Sequence, residues 1–394
     1  MRMVGTTSRG IRTPIIKEGD NLANIVVDSV IKASKNEEFK IHDKDIICVT
    51  EAVVGISEGN YCTVDDIAND IRDKYVNGEV GVVYPILSRN RFSLILKGIA
   101  RGAKKIVMLL SFPSDEVGNG ILDENKLSSS PFNLSSIITE NDYNEYFGDF
   151  IHPFTGINMV SFYRDLVKSE DCEIEFVFSN NPLDILKYTP YVLNCDIHTR
   201  EHTKELFSNT GALCYSLTDI MNKSNNGSGY NPKYGLLGSN KSTEERLKLF
   251  PKDGEKLILD IQKKMKELTG KDLEVMVYGD GAFKDPVGHI WELADPVVSP
   301  FYTSGLEGTP NEIKLKYVSD NKLADLRGED LVDAMKKEIR SKDNNLVGKM
   351  VTQGTTPRRI TDLVGSLADL TSGSGDKGTP VVLIQGYFDN YANE

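Results

Sequence analysis

Residues 253–280 read DGEKLILDIQKKMKELTGKDLEVMVYGD, and this stretch decides the fold class. Leu257, Ile258, Ile261, Met265 and Leu268 recur at the spacing of one helical face. Asp253 stands where an N-cap belongs, and Gly270 where a helix is left through a left-handed residue. Leu273 to Tyr278 is then an apolar run too short for a helix and the right length for a buried strand. It delivers Gly279-Asp280-Gly281 at its C-terminal end. A helix that returns at once to a buried strand is the building unit of α/β proteins.

The same texture extends outward in both directions. After Gly19-Asp20, apolar Leu22, Ile25, Val26, Val30 and Ala33 recur near helical spacing, with Asp20 as the expected N-cap. Residues 45–50 (DIICVT) predict a short buried strand, and Thr63-Val-Asp-Asp66 a capping box that opens a helix carrying Ile67, Ile71 and Tyr75. Residues 81–87 (GVVYPIL) predict a strand that Pro85 places at a sheet edge or a break. Near the C-terminus, Ile360, Leu363, Val364, Leu367 and Leu370 form a helical stripe. A Gly/Ser turn from Ser372 to Gly378 follows, then the apolar strand PVVLIQG (380–386). That turn lacks the GxxxxGK[ST] spacing of a P-loop. Between about residues 106 and 235 the chain is richer in Asn, Ser, Asp and aromatics. There EIEFVF (173–178) and YVLNC (191–195) read as strands, with a helix from about Thr199 and an exit turn over 225–229. Three segments result: 1–105 as the first part of an α/β (mixed α+β) domain, 106–235 as an inserted α/β module, and 236–394 as the second part.

Composition excludes several function classes. Hydrophobic residues make up 39% and charged residues 26% of 394, values of a folded globular chain rather than a disordered one. With 46 basic against 58 acidic side chains the net charge is −12, and no run of five Lys or Arg offsets it, so a nucleic-acid partner is not expected. Cys48, Cys62, Cys172, Cys195 and Cys214 are odd in number and form no CxxC, which argues against a disulfide framework or a structural zinc. The N-terminus lacks a signal-peptide core, and no apolar run reaches the ~20 residues of a membrane span. The expectation is a cytoplasmic protein with no membrane partner.

Four stretches resemble, in order, the coenzyme F-420 gamma-glutamyl ligase family. They are GIRTPIIKEGDNLANIV (10–26), DIICVTEAVVGISEGN (45–60), GSNKSTEERLKLFPKDGEKLILDIQKKMKELTGKDLEVMVYGD (238–280) and ITDLVGSLADLTSGSGDKGTPVVLIQG (360–386). The middle segment lies outside the resemblance. The likeness implies a gamma-glutamyl ligase-like fold and a reaction in which GTP, or ATP, phosphorylates a carboxylate that the amine of L-glutamate then attacks. It also implies Mg2+ or Mn2+, a small-molecule carboxylate acceptor and a homodimer. The changed motif residues leave room for a folate-like acceptor, or for a metabolite-binding protein that has lost catalysis.

Asp280 is the first candidate residue. A carboxylate at the end of an apolar strand needs a partner, and strand C-termini are where α/β folds hold ligands. By resemblance it is a metal ligand; the plainer role is a turn residue between two glycines. Glu58, in Ile-Ser-Glu-Gly with Ser57, takes the place of the family's Glu in Ala-Glu-Gly. Carboxylates suit hard divalent cations, although a Glu before a turn Gly is also an ordinary surface residue. Thr50, Ser239 and Asn240 keep polar positions of the family's phosphate and metal loops, whereas Leu237 replaces an Asp and Glu51-Ala52 replace a Ser-Lys. Arg9, Arg12 and Lys17, with Ser88, Arg89 and Arg91, are candidates for an anionic substrate. His198 and His202, spaced four apart downstream of Asp196, could share a helix face and hold a metal if a third ligand joined them. His289 and Trp291 could close over the Asp280 pocket.

Overall fold

The computed structural model describes residues 3–153, 155–280, 297–355, 358–372 and 376–393, so His289 and Trp291 lie outside the described residues. In chain order the strands are β1 (Thr7–Ile11), β2 (Ile46–Thr50), β3 (Tyr61–Thr63), β4 (Glu79–Val83), β5 (Lys105–Leu110), β6 (Ile138–Thr139), β7 (Glu173–Phe178), β8 (Tyr191–Asn194), β9 (Leu213–Ser216), β10 (Asn240–Lys241), β11 (Arg246–Lys248), β12 (Glu274–Tyr278), β13 (Phe301–Tyr302) and β14 (Val381–Gln385). The first four helices are α1 (Leu22–Asn36), α2 (Glu51–Ser57), α3 (Val64–Lys74) and α4 (Phe92–Gly102).

The first sheet has the order β1-β14-β2-β12-β13. β14 is antiparallel to both β1 and β2, and β2 is parallel to β12, so β1, β2 and β12 end on one edge. Ile11, Val381, Val49 and Val277 form a row across the sheet. Because side chains alternate along a strand, Val49, Val275 and Val277 meet α1 and the helix Gly254–Thr269 through Val26, Val30, Ile258 and Ile261. Cys48, Met276 and Ile384 face the helix Ile360–Ser372 through Val364 and Ala368. Burial on both faces explains why these strands read as continuous apolar runs.

Some sequence expectations shift by a residue or a face. The N-cap of α1 is Asn21, whose side chain accepts the Asn24 N–H at 3.1 Å, while Asp20 accepts the Lys17 N–H. Gly270 ends its helix at φ 70°, and the Thr63–Asp66 capping box forms at the start of α3. Leu268 is 65% exposed, so that helix buries Ile258, Ile261 and Met265 instead.

The second sheet has the order β6-β7-β5-β4-β8-β9, with β7, β5, β4, β8 and β9 all parallel. Numbered by chain order, these five strands run 3-2-1-4-5, the order of a doubly wound sheet. Val82 and Met108 share one core with α3, α4 and the helix Met159–Lys168. Val83, Val107 and Val192 face the other side, against Ile185 and Phe207. α3 and α4 approach so closely that a Cβ at Gly98 would lie 2.6 Å from the Ile67 side chain. β4 is central, not an edge: its ladder ends at Val83, before Pro85, so the missing proline N–H is never required. The sheet therefore crosses the 105/106 boundary drawn from the change in composition. A third, small sheet, β10-β11-β3, ties residues 240–248 to the segment before α3.

Candidate functional site

The strand order reverses between β4 and β8, and their C-terminal ends open a crevice where doubly wound sheets bind ligands. The chain leaves β4 through Tyr84 at φ 52° and enters α4 through Ser88. The Ser88 hydroxyl accepts the N–H groups of Arg91 and Phe92 at 2.9 and 3.0 Å, which fixes Arg91 at the mouth of the helix. The Leu87 N–H donates to Asp115 at 2.8 Å, and Asp115 also accepts from Val117, Asn119 N–H and the Asn119 side chain. Burial raises the Asp115 pKa to about 6 against these hydrogen bonds. Neighbouring Glu116 accepts the N–H groups of Ile197 and His198 and contacts the His198 ring at 3.0 Å. Burial pushes Glu116 up, but these His198 and Ile197 contacts outweigh it and hold the carboxyl below its ordinary range. Two consecutive acids after β5 thus fasten the loops after β4 and β8.

Arg91, Ile86, Phe92, Ile197, Leu237 and Ser239 line the inner end of this crevice, a cavity of about 30 Å³. Ser239 is 2% exposed and its hydroxyl finds no partner among the described residues. The Lys241 N–H donates to the Asn90 carbonyl at 2.8 Å, which stitches the 239–241 strand entry to the α4 entry. From the other side comes Asp280, two residues past β12, whose carboxylate accepts from Arg91. The C-terminal edge of the first sheet and the switch point of the second meet at this half-buried ion pair.

The remaining candidate residues divide among other places. Arg12 lies just beyond β1 and lines a cavity of about 980 Å³ with Arg9, Lys32 and Lys377. Arg9 donates to Gln385 at 2.7 Å and stacks 4.7 Å over Phe39. Thr50 ends β2 on the same sheet edge as Arg12 and Asp280. Ser57 and Glu58 line a separate cavity of about 210 Å³ between α1 and the helix Gly254–Thr269. Both Glu58 oxygens accept backbone N–H groups, from Lys252 and Asp253 at 3.0 Å, and burial holds its pKa above the ordinary range. That is a support for the entry of the helix, where Asp253 itself makes no side-chain cap. Arg89 is exposed and, after burial, contributes to depressing the His152 pKa. Asn240 pairs with Lys248 across the small sheet.

Asp196 is engaged by Thr199 and Thr203, and His198 by Glu116. Among the described residues no group of three or more His, Cys, Asp or Glu is arranged to hold a metal, including the His198–His202 pair. Glu51, where the family has Ser, is buried against Lys248, its oxygens 2.9 and 2.7 Å from Nζ. Sequence reading missed Asp115, Glu116 and Lys248. The first two sit in SFPSDEVGNG, which has only the signature of a loop, and neither the burial of Asp115 nor the reach of Glu116 to the loop after β8 has a local signal. A Mg2+ ion carried on nucleotide phosphates needs only one or two protein carboxylates, so Asp280 fits that role singly, whereas Glu58 is committed to backbone amides.

Two sheets whose C-terminal strand ends converge on an Arg–carboxylate pair form a mixed α/β scaffold of the kind that binding proteins and enzymes share. A family model described as F420-0:Gamma-glutamyl ligase matches residues 10–386, and the chain belongs to that family. Membership supports ligase-type activity. None of the curated proteins compared with the chain matches it. No helix among the described residues is long and apolar enough to cross a membrane.

Proposed function

We propose that this protein joins L-glutamate to a carboxylate of a small acceptor, at the expense of GTP or ATP, through an acyl phosphate. The observation that carries this reading is the Arg91–Asp280 pair, set where the edge of the first sheet meets the crevice of the second. Family membership supports the reaction class. The nucleotide lies along the first sheet's edge. Arg12, Thr50 and Asp280 follow strands β1, β2 and β12 there, and β1 and β12 are three strand spacings apart, about 14 Å. That span suits an extended nucleotide triphosphate with cations at one end and a carboxylate at the other. Arg9 lines the same cavity as Arg12, and Ser239 lines the crevice.

The chemistry needs positioning and charge more than a protein nucleophile. The γ-phosphoryl group passes to an acceptor carboxylate oxygen, breaking its bond to the nucleoside diphosphate. The glutamate amine then attacks the acyl carbon, phosphate departs, and the amine gives up a proton. Asp280 would hold a divalent cation there, and the charge such an ion supplies would offset the negative charge developing on the phosphates. Arg91 offers a planar fork for a carboxylate, and the apolar crevice wall excludes water from an intermediate that water would hydrolyse. A homodimer is part of the same reading, by family.

A second reading, binding without catalysis, is favoured by Leu237 in the crevice wall and by Glu51 committed to Lys248. Hydrogen–deuterium exchange with GTP and Mn2+ tests the placement: protection is expected over residues 12–20, 50–58 and 278–280. Protection elsewhere, or none, sinks it. Glutamate-dependent phosphate release separates ligation from mere binding.

A further inference from the structure

We infer that the switch-point crevice of the second sheet is the acceptor site, with Arg91 as the residue that grips the acceptor's carboxylate and Ser239 as its buried polar contact. This rests on the ligase reading and assigns its second substrate. Four observations converge on it. The crevice lies between β4 and β8, where the strand order reverses. Its wall is apolar, with Ile86, Phe92, Ile197 and Leu237, and its inner cavity of about 30 Å³ suits a methylene-sized group rather than a ring. Ser239 is 2% exposed, and its hydroxyl has no partner among the described residues, a cost that a ligand atom would remove. Finally, Arg91 already holds a carboxylate, that of Asp280, so its guanidinium is oriented for one.

The ligand class follows from these walls. An aliphatic chain ending in a carboxylate places its methylenes against the apolar residues and its charge on the guanidinium fork. An ammonium carried on that chain would lie against Ile86, Phe92, Ile197 and Leu237, whose side chains offer it no hydrogen-bond acceptor, so a plain carboxylate-ended chain fits this wall better than a free amino acid. An incoming carboxylate competes with Asp280 for Arg91. Acceptor binding thereby turns Asp280 toward the nucleotide edge, which couples the two substrates at the junction.

The test uses the full chain and butyrate as the probe, with butyramide as its neutral isostere, followed by ligand-observed NMR titration. Butyrate is expected to bind, butyramide not. Arg91→Gln is expected to weaken butyrate at least about tenfold, and Asp280→Asn to strengthen it severalfold by removing the competing charge. Ser239→Ala, a smaller change that leaves the guanidinium in place, should weaken it less. Butyrate that binds equally to wild type and Arg91→Gln overturns the assignment. So does an absence of binding to both wild type and Asp280→Asn, or Arg91-dependent binding of L-glutamate without any of butyrate. Failure of the ligase reading shows separately, as GTP–Mn2+ binding that Asp280→Asn leaves untouched.

Discussion

The first sheet pairs Thr7 with Gln385, near the two ends of the chain, whereas the second closes β4 to β9 out of one run of residues, 79–216. The first presents charge along its edge, in Arg12 and Asp280. The second presents an apolar crevice whose loops are fastened from behind by buried Asp115 and by neighbouring Glu116. The difference teaches how a site can be divided. A sheet edge assembled from distant segments brings charged groups together, and a locally built doubly wound sheet supplies an apolar pocket beside them. Arg91 and Asp280, 189 residues apart in sequence, are where the two contributions touch.

Substitutions on each side can sharpen or break this contrast. The largest effect is expected at Lys248→Met, which removes the ammonium that both oxygens of buried Glu51 contact and should cost about 3–5 kcal/mol in denaturant unfolding. Adding Glu51→Leu should restore most of that loss; a single variant within 1 kcal/mol of wild type would show that the pair is not sealed from water.

Asp115 tests the second sheet. Its pKa, raised by burial from 3.8 to about 6, means that the native state holds the proton more tightly than the unfolded chain. Its contribution is therefore fully present below about pH 4 and lost as pH rises through about 6. The stability of wild type relative to Asp115→Asn should fall by about 2 kcal/mol between pH 4 and pH 7. A flat difference would remove Asp115 from its role as a buried anchor. The smallest effect is expected at Thr63→Ala, which deletes the capping box of α3 and should lower stability by about 1 kcal/mol.

Much of the first sheet was legible because its signals are local. The helix over 254–269 repeats its apolar residues at helical spacing, Gly270 stops it, and Val275 to Tyr278 then alternate between two buried faces. The capping box at Thr63 is equally local. The position of β4 was not legible, since its neighbours β5 and β8 are chosen by topology, and Pro85 allowed an edge or a break, of which the fold has the break, the ladder ending at Val83. Asp280 stood out as a carboxylate after an apolar strand, but its partner could not be read from the chain. Glu58 shows the limit from the other side. Its residue type and motif suit a metal, yet the fold gives both of its oxygens to backbone N–H groups.

The central claim is that Asp280 stands at the meeting point of the two sheets as the carboxylate that faces a metal-bound nucleotide. Calorimetric titration of GTP with Mn2+ into wild type and Asp280→Asn tests it most directly. The expected result is metal-dependent binding to wild type that weakens at least about tenfold in the variant, equivalent to about 1.4 kcal/mol. Equal binding by the two proteins, or binding that ignores the metal, would contradict the account.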